Sequence, residues 1–541
     1  MTPRLTLINR DYTRLWFGQA VSSVGDAVFS TTLVLWVATV LARDESWAPV
    51  AVSGIVMASS VAVLVIGPLA GVFVDRWDKR ATMLRTEVLR GGLVAVLTAV
   101  TFLPAGALPT GVWLALIYAT VLLLHAAGQF FSPARFAVLA DLVTGDADRA
   151  RAAGIAQATG ETAWIIGPPL AAPLLFAAGL QWALLFNGLS YALSYVAIRS
   201  IGVREPRTGS AGPGGAQKPA RRQRAGLRRE FTDGLRFFAG SRFLVALLVL
   251  AAIGQLGVGA LGTLNIFFAT DNLHADAHLY GYLGMAMGVG GIVGALSGGR
   301  VVQWLGARRT TWIGLLVSGV LLVAYSRQTG FLGGVALLFV FTVPLTMLNT
   351  AMSPLLLAAA PPDYRGRVMA VFYPVTRLAS MISAALSGWL AGSVLRDVGG
   401  SLGGLRFGPV DTIIAASGLI VLLAGVFAMA ALPGAESAEK PVEEAVEKAA
   451  DMAPERAGER SGDDAAVPPG GRPPAPHHVS RPKTRPFAHG PRGGRLTRKR
   501  TDMPETETTD PEPNEREDIE VVAHNDDEEL AACVINRSND L

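Results

Sequence analysis

Between Leu15 and Leu432 the chain is a succession of apolar stretches, each about as long as a helix needs to cross a hydrocarbon core. They fall near residues 15–40, 50–74, 82–103, 110–131, 152–178, 182–201, 243–270, 279–303, 309–326, 330–358, 368–395 and 409–432, twelve in all. A bilayer offers no water to an unpaired amide, so uninterrupted runs of this length are read as helices. Turn and helix-stop residues separate them, for example Pro104 with Pro109 and Pro361 with Pro362. The expectation is an all-α membrane protein with twelve transmembrane helices. Composition agrees, since only 17% of residues are charged, against roughly 25% in a soluble domain. The N-terminal run is too long for a cleavable signal peptide and is closed by no A-x-A site. Cys533 is the only cysteine, which excludes an intrachain disulfide and a cysteine-based metal cluster. No phosphate-binding G-x4-G-K-[ST], no H-E-x-x-H and no G-x-S-x-G occurs. No enzyme activity, metal or cofactor is expected.

Charge orients the bundle. With the N-terminus inside, that side holds 25 Lys/Arg and the opposite side four, namely Arg43, Arg327, Arg396 and Arg406. The positive-inside rule therefore predicts both termini in the cytoplasm of a multi-pass protein of the cell membrane. Residues 202–242 form the one long connection between spans, rich in Gly, Pro and Arg, and split the helices six and six. The domain reading is 1–201 as an N-terminal six-helix bundle, 202–242 as a basic cytoplasmic linker, 243–433 as a second bundle and 434–541 as a disordered cytoplasmic tail. The tail is charge-blocked: acidic over 436–464, basic over 472–500 and acidic again over 502–529. The net charge of +4 thus divides into +13 on residues 1–433 and −9 on the tail. Phe487 is the only aromatic residue in the basic block, so a tail lying against anionic lipid is expected there rather than nucleic-acid binding.

The halves repeat. After span 2 the chain reads Gly71-x-x-x-Asp75-Arg76-Trp77-Asp78-Lys79-Arg80, and 228 residues on it reads Gly299-x-x-x-Gln303-Trp304-Leu305-Gly306-Ala307-Arg308-Arg309. Ser132-Pro133 with Arg149 and Arg151 after span 4 match Ser353-Pro354 with Arg365 and Arg367 after span 10. Such offsets indicate two repeated six-helix units. Over residues 1 to about 433 the chain resembles the major facilitator superfamily, whose signature after helix 2 is kept at Gly71, Asp75, Arg76, Lys79 and Arg80. Asp78 stands where that signature has glycine. The drug-exporter branch, particularly macrolide-efflux-like and enterobactin-exporter-like proteins, is similar in Gly25-Asp26, in Phe131-Ser132-Pro133-Ala134-Arg135 and in Arg365-Gly366-Arg367. The antiporter pattern of helix 5 is matched by Gly154, Gly167 and Pro168, with Ala163, Ala171 and Ala172 in place of its other glycines.

The resemblance implies that the first motif governs switching between two conformations. Physically, Gly71 would let two helices approach, Asp75 would accept hydrogen bonds from an opposing helix N-terminus, and Arg76, Lys79 and Arg80 would anchor at headgroups. Ionisable residues deep in a span are candidates for function because burying them is costly. Asp26 lies twelve residues past Arg14, about 18 Å deep at 1.5 Å per residue. Glu161 and Arg377 lie at matched depth on helices 5 and 11, ten residues past Arg151 and Arg367. Asp26 is the first candidate for a proton-carrying acid and Glu161 the second. Arg377 is a counter-charge or anion-binding group, and a static Glu161–Arg377 pair is the alternative. His125, Gln129, Gln255, Asn265 and Asn349 are cavity candidates or interhelical hydrogen-bonding groups. Glu87 and Arg90 read as a structural pair joined to the Asp75 motif, and Asp411 as solvated.

Taken with the resemblance, the expected protein is a monomeric secondary transporter. Its partners would be protons, a lipid bilayer and a small amphipathic or hydrophobic substrate exported by proton antiport. The alternatives are a specific siderophore or secondary-metabolite exporter and, in another class, a transport-inactive sensor or scaffold acting through the tail.

Overall fold

The computed structural model describes residues 7–202, 236–359, 365–402 and 405–431, apart from 75, 105 and 237. Most of the expected linker, Asp75 and the tail lie outside the described residues. Among the described residues there are twelve long helices: α1 Arg10–Trp36, α2 Ala48–Val74, α3 Lys79–Val100, α4 Thr110–Leu142, α5 Asp146–Pro173, α6 Leu180–Arg199, α7 Arg242–Phe267, α8 Tyr280–Leu305, α9 Ala307–Ser326, α10 Phe331–Ala359, α11 Arg365–Trp389 and α12 Pro409–Ala431. Nine of them are long and apolar enough to cross a membrane on length and composition alone. The other three, α3, α6 and α11, mix polar residues such as Glu87, Asn187 and Arg377 into their apolar sequence. The connection between α11 and α12 adds a small antiparallel ladder, Gly400–Leu402 on Leu405–Phe407.

Helix ends depart from the expected spans, and for a physical reason. Apolar runs mark the bilayer-embedded part, whereas backbone hydrogen bonding continues past it into water. Helix α4 therefore runs to Leu142 with Pro133 inside it. Ser132-Pro133 and Ser353-Pro354 stand within helices, not in the loops after them.

The internal repeat is complete in the packing. Helix α1 packs on α5 and α6, α2 on α4, and α3 on α4 and α6. Adding six to each number gives contacts that are also present: α7 on α11 and α12, α8 on α10, and α9 on α10 and α12. The halves meet through α2 on α11 and α5 on α8, which the same operation exchanges. Four helices, α1, α5, α7 and α11, end in a π turn, at Val37–Leu41, Leu174–Ala178, Phe268–Asn272 and Leu390–Val394. All four turns lie at the end opposite the N-terminus, called the far end below.

The repeat also explains Asp78. Its φ is −64°, an ordinary extended value, and its carboxylate accepts from the Ala81 amide at 2.5 Å, capping α3. Gly306, its counterpart, starts α9 with φ +80° and no side-chain cap. One repeat turns with a capping aspartate and the other with a glycine that tolerates positive φ. Gly306→Ala is expected to destabilise by about 1–3 kcal/mol through backbone strain, and Asp78→Ala by about 1 kcal/mol through the lost cap. Thermal unfolding of the purified protein checks both.

Candidate functional site

Three helices of the first half carry polar side chains on facing stripes. On α6 they are Asn187, Ser190, Tyr191 and Ser194, at the three-, four- and seven-residue spacing of one helix face. On α1 they are Gln19 and Asp26, and on α3 Glu87 and Arg90. The Tyr191 hydroxyl donates to Asp26 Oδ1 at 2.5 Å. The Ser194 hydroxyl donates to Glu87 Oε1 at 2.8 Å and accepts from Gln19 Nε2 at 2.9 Å. The Arg90 guanidinium stands over the Phe131 ring at 5.3 Å and the Tyr191 ring at 5.6 Å, attracted by their π faces. Gly128 of α4 leaves the space that an Arg90 nitrogen occupies. Arg90 and Asp26 both act electrostatically on Glu87. The Glu87–Arg90 pair stands close to Asp26, where α1 and α3 pack on α6, and its expected join to Asp75 lies outside the described residues. The α6 stripe was readable in the sequence by its spacing, and the sequence reading did not use it.

Glu161 lies half-buried on α5. Gln157 Nε2 donates to its Oε1 at 2.8 Å, and its Oε2 sits 3.4 Å from the place a Cβ on Gly291 of α8 would take. It thus faces the junction between the halves. Arg377 is half-buried on α11, and no close packing joins α5 to α11. His125 on α4 bonds the Val121 carbonyl of its own helix at 2.9 Å. Gln129 of α4 abuts Gly67 of α2, Gln255 is half-buried on α7, and Asn349 is exposed on α10. Asn265 is buried, with Oδ1 accepting from Tyr325 at 2.5 Å and Tyr280 bonded to it as well. Its hydrogen bonds join α7 to α8 and α9.

Several motif residues act otherwise than the sequence suggests. Arg80 donates to the Ile198 and Arg199 carbonyls at 3.3 and 2.6 Å, closing the C-terminus of α6. Arg308, its repeat counterpart, donates to the Met429 carbonyl of α12 at 3.3 Å. Lys79 donates to the Val74 and Trp77 carbonyls at the end of α2. These cations satisfy orphan helix carbonyls; Arg76 is exposed. No described atom lies within 4 Å of a Cβ placed on Gly71, so this glycine mediates no close approach here. Asp411, expected to be solvated, is 2% exposed and paired with Arg327 at 3.0 Å, because Arg327 at the end of α9 folds over the α12 N-terminus.

The reason Gly71 stands open is the arrangement of the halves. At the far end they touch closely: Gly388 and Gly392 of α11 meet Pro49, Ser53 and Ser46 of α2 and its approach, while Gly281 and Gly284 of α8 meet Pro168. Gly167 beside Pro168 packs on Ala27 and Val28 of α1. At the near end no described atom comes within 4 Å of a Cβ on Gly71, Gly154 or Gly299. Among the described residues the halves thus touch closely at the far end and make no such contact at Gly71, Gly154 or Gly299.

Comparison with known proteins agrees with this architecture. The family model of the Major Facilitator Superfamily matches residues 15–269 and 247–487. A protein of Bacillus amyloliquefaciens named as a bacilysin exporter, BacE, is 32% identical over 202 residues, covering 35% of this chain and 47% of its own. The chain thus spans about half the length of that relative. Macrolide efflux protein A of Streptococcus pyogenes is 21% identical over 384 residues, covering 70% of this chain and 88% of its own. Among solved structures, a bacterial homologue of the iron transporter ferroportin in its inward-facing state superposes with TM-score 0.60 at 16% identity, covering 80% of this chain and all of that one. Two bundles of six helices related by a repeat, and a family match over both of them, show that this multi-pass membrane protein belongs to the major facilitator superfamily.

Proposed function

We propose that the protein is a proton-coupled exporter of a small amphipathic or hydrophobic compound, working by alternating access in the cell membrane with both termini in the cytoplasm. The observation that carries the coupling is Asp26: a half-buried carboxylate within a span, held by Tyr191 beside Arg90. Such an acid binds and releases a proton as its exposure alternates. Glu161, at the α5–α8 junction, is the second acid of the mechanism. In the proposed orientation the near end faces the cytoplasm, where an exporter loads substrate. Export as the direction rests on the names of the relatives. The relative named for bacilysin favours a second reading, a single secondary metabolite as substrate in place of a broad range.

The test uses inverted membrane vesicles carrying the full chain, an imposed proton gradient and ethidium as probe, followed by a panel of antibiotics and siderophores in a strain lacking the protein. Gradient-driven accumulation that a protonophore abolishes is the expected result. Transport indifferent to the gradient removes the coupling, and protection against one compound alone selects the second reading. Loss of activity only on truncation after Pro433 favours a role for the tail.

A further inference from the structure

The polar cluster of the first half holds two carboxylates and one guanidinium. Glu87 is 1% exposed, its Oε1 accepts the Ser194 hydroxyl, the Gln19 amide is a second hydrogen-bonding neighbour, and its Oε2 has no hydrogen-bond partner among the described residues. The charged or titratable groups facing it are Arg90 from its own helix, Asp26 from α1, and Tyr191 and Tyr195 from α6. From α4 the neighbours of the cluster are Gly128 and Phe131, neither of which titrates. Glu87 and Tyr191 also line a largely apolar groove of about 390 Å³ between α3 and α6. A static ion pair needs one acid. With both ionised, this buried cluster carries a net negative charge that a membrane interior strongly disfavours.

We propose that Glu87 is the second carboxylate of the proton site, exchanging Arg90 with Asp26 as the proton is loaded and released. The inference rests on the proton-coupled reading of Asp26 and deepens it. A proton taken from water on one side neutralises one carboxylate, and the guanidinium then pairs with the other. Release of that proton to water on the opposite side restores the starting charge, and nothing else is consumed. Arg90 lies near both acids: it is three residues from Glu87 on α3 and stands over the ring of Tyr191, whose hydroxyl holds Asp26. The Gln19–Ser194–Glu87 chain and the Tyr191–Asp26 bond are the two alternative anchors.

The experiment is infrared difference spectroscopy of the purified full chain between about pH 5 and about pH 9, for the wild type, Asp26→Asn, Glu87→Gln and the double variant. A titrating carboxyl band is expected in the wild type. Each single variant should move the band that remains, and the double variant should remove both, because the acids share one cation. A band wholly lost in Asp26→Asn and untouched in Glu87→Gln overturns the role of Glu87 while leaving Asp26 in place. No titrating band in the wild type overturns both readings. In vesicles, Glu87→Gln should lower gradient-driven ethidium uptake about tenfold more than it lowers ethidium exchange without a gradient; equal losses mark a merely structural residue. Should Glu87→Gln fail to reach the membrane, Ser194→Ala replaces it, since it frees Glu87 Oε1 while keeping the acid. The same unequal loss is expected, and an equal one again overturns the role.

Discussion

Asp26→Asn is expected to lower gradient-driven uptake of ethidium into inverted vesicles by about two orders of magnitude. The substitution keeps the size of the side chain and an oxygen that still accepts from Tyr191, so the packing of α1 on α6 is preserved. It removes the one property that asparagine cannot supply, a proton that comes and goes. Arg90 then stands beside Glu87 with no second carboxylate at Asp26 to exchange with. The ratio of gradient-driven to gradient-free transport is the measurement that matters, because a damaged fold lowers both. A ratio within about twofold of the wild type transfers the coupling to Glu161, the other candidate acid.

The second large effect is steric. A Cβ on Gly388 would lie 2.7 Å from both the Pro49 carbonyl oxygen and Ser53 Cβ across the α2–α11 junction. Backbone on one side and a helix on the other leave little room to give, so Gly388→Val is expected to keep the far end from closing. A transporter unable to close one end cannot alternate, and transport should fall by at least about tenfold. The helices of each half pack among themselves through other faces, so the protein should still reach the membrane in normal amount. Thiol labelling measures the closure directly. With Cys533→Ser removing the only native thiol, Ser53→Cys should be labelled slowly by a polar maleimide in the wild-type background and quickly with Gly388→Val. Equal labelling in the two backgrounds would show that the far end closes despite the added bulk.

Much of the architecture was legible because it is written in single segments. Each apolar run reports its own helix, and the 228-residue offset between Gly71 and Gly299 reports the repeat without any contact being known. What could not be read was partnership. Asp26 and Glu87 lie on different helices, and only the packing of α1 and α3 against α6 brings them under one arginine. Asp411 looked solvated because its sequence neighbours are loop-like, yet its cation arrives from the end of α9. Nothing local to Lys79 and Arg80 shows that helix termini with unpaired carbonyls stand beside them. Asp78 is the opposite case: it breaks the family pattern, and a capping aspartate was a local reading open from the start.

The four π turns give the far end a particular kind of freedom. In three of them the wide ring is closed by a five-residue bond: Ala42 to Val37, Leu273 to Phe268 and Leu395 to Leu390. Each such turn holds one residue more than an α turn requires. Passing that surplus along the helix advances the side chains beyond it by one position, about 100° around the axis and 1.5 Å along it. The turns occur on α5 and α11, which form the two seams, and on α1 and α7 behind them. Residues of the rim beyond a π turn can therefore change register by one position without the helix ladder being broken.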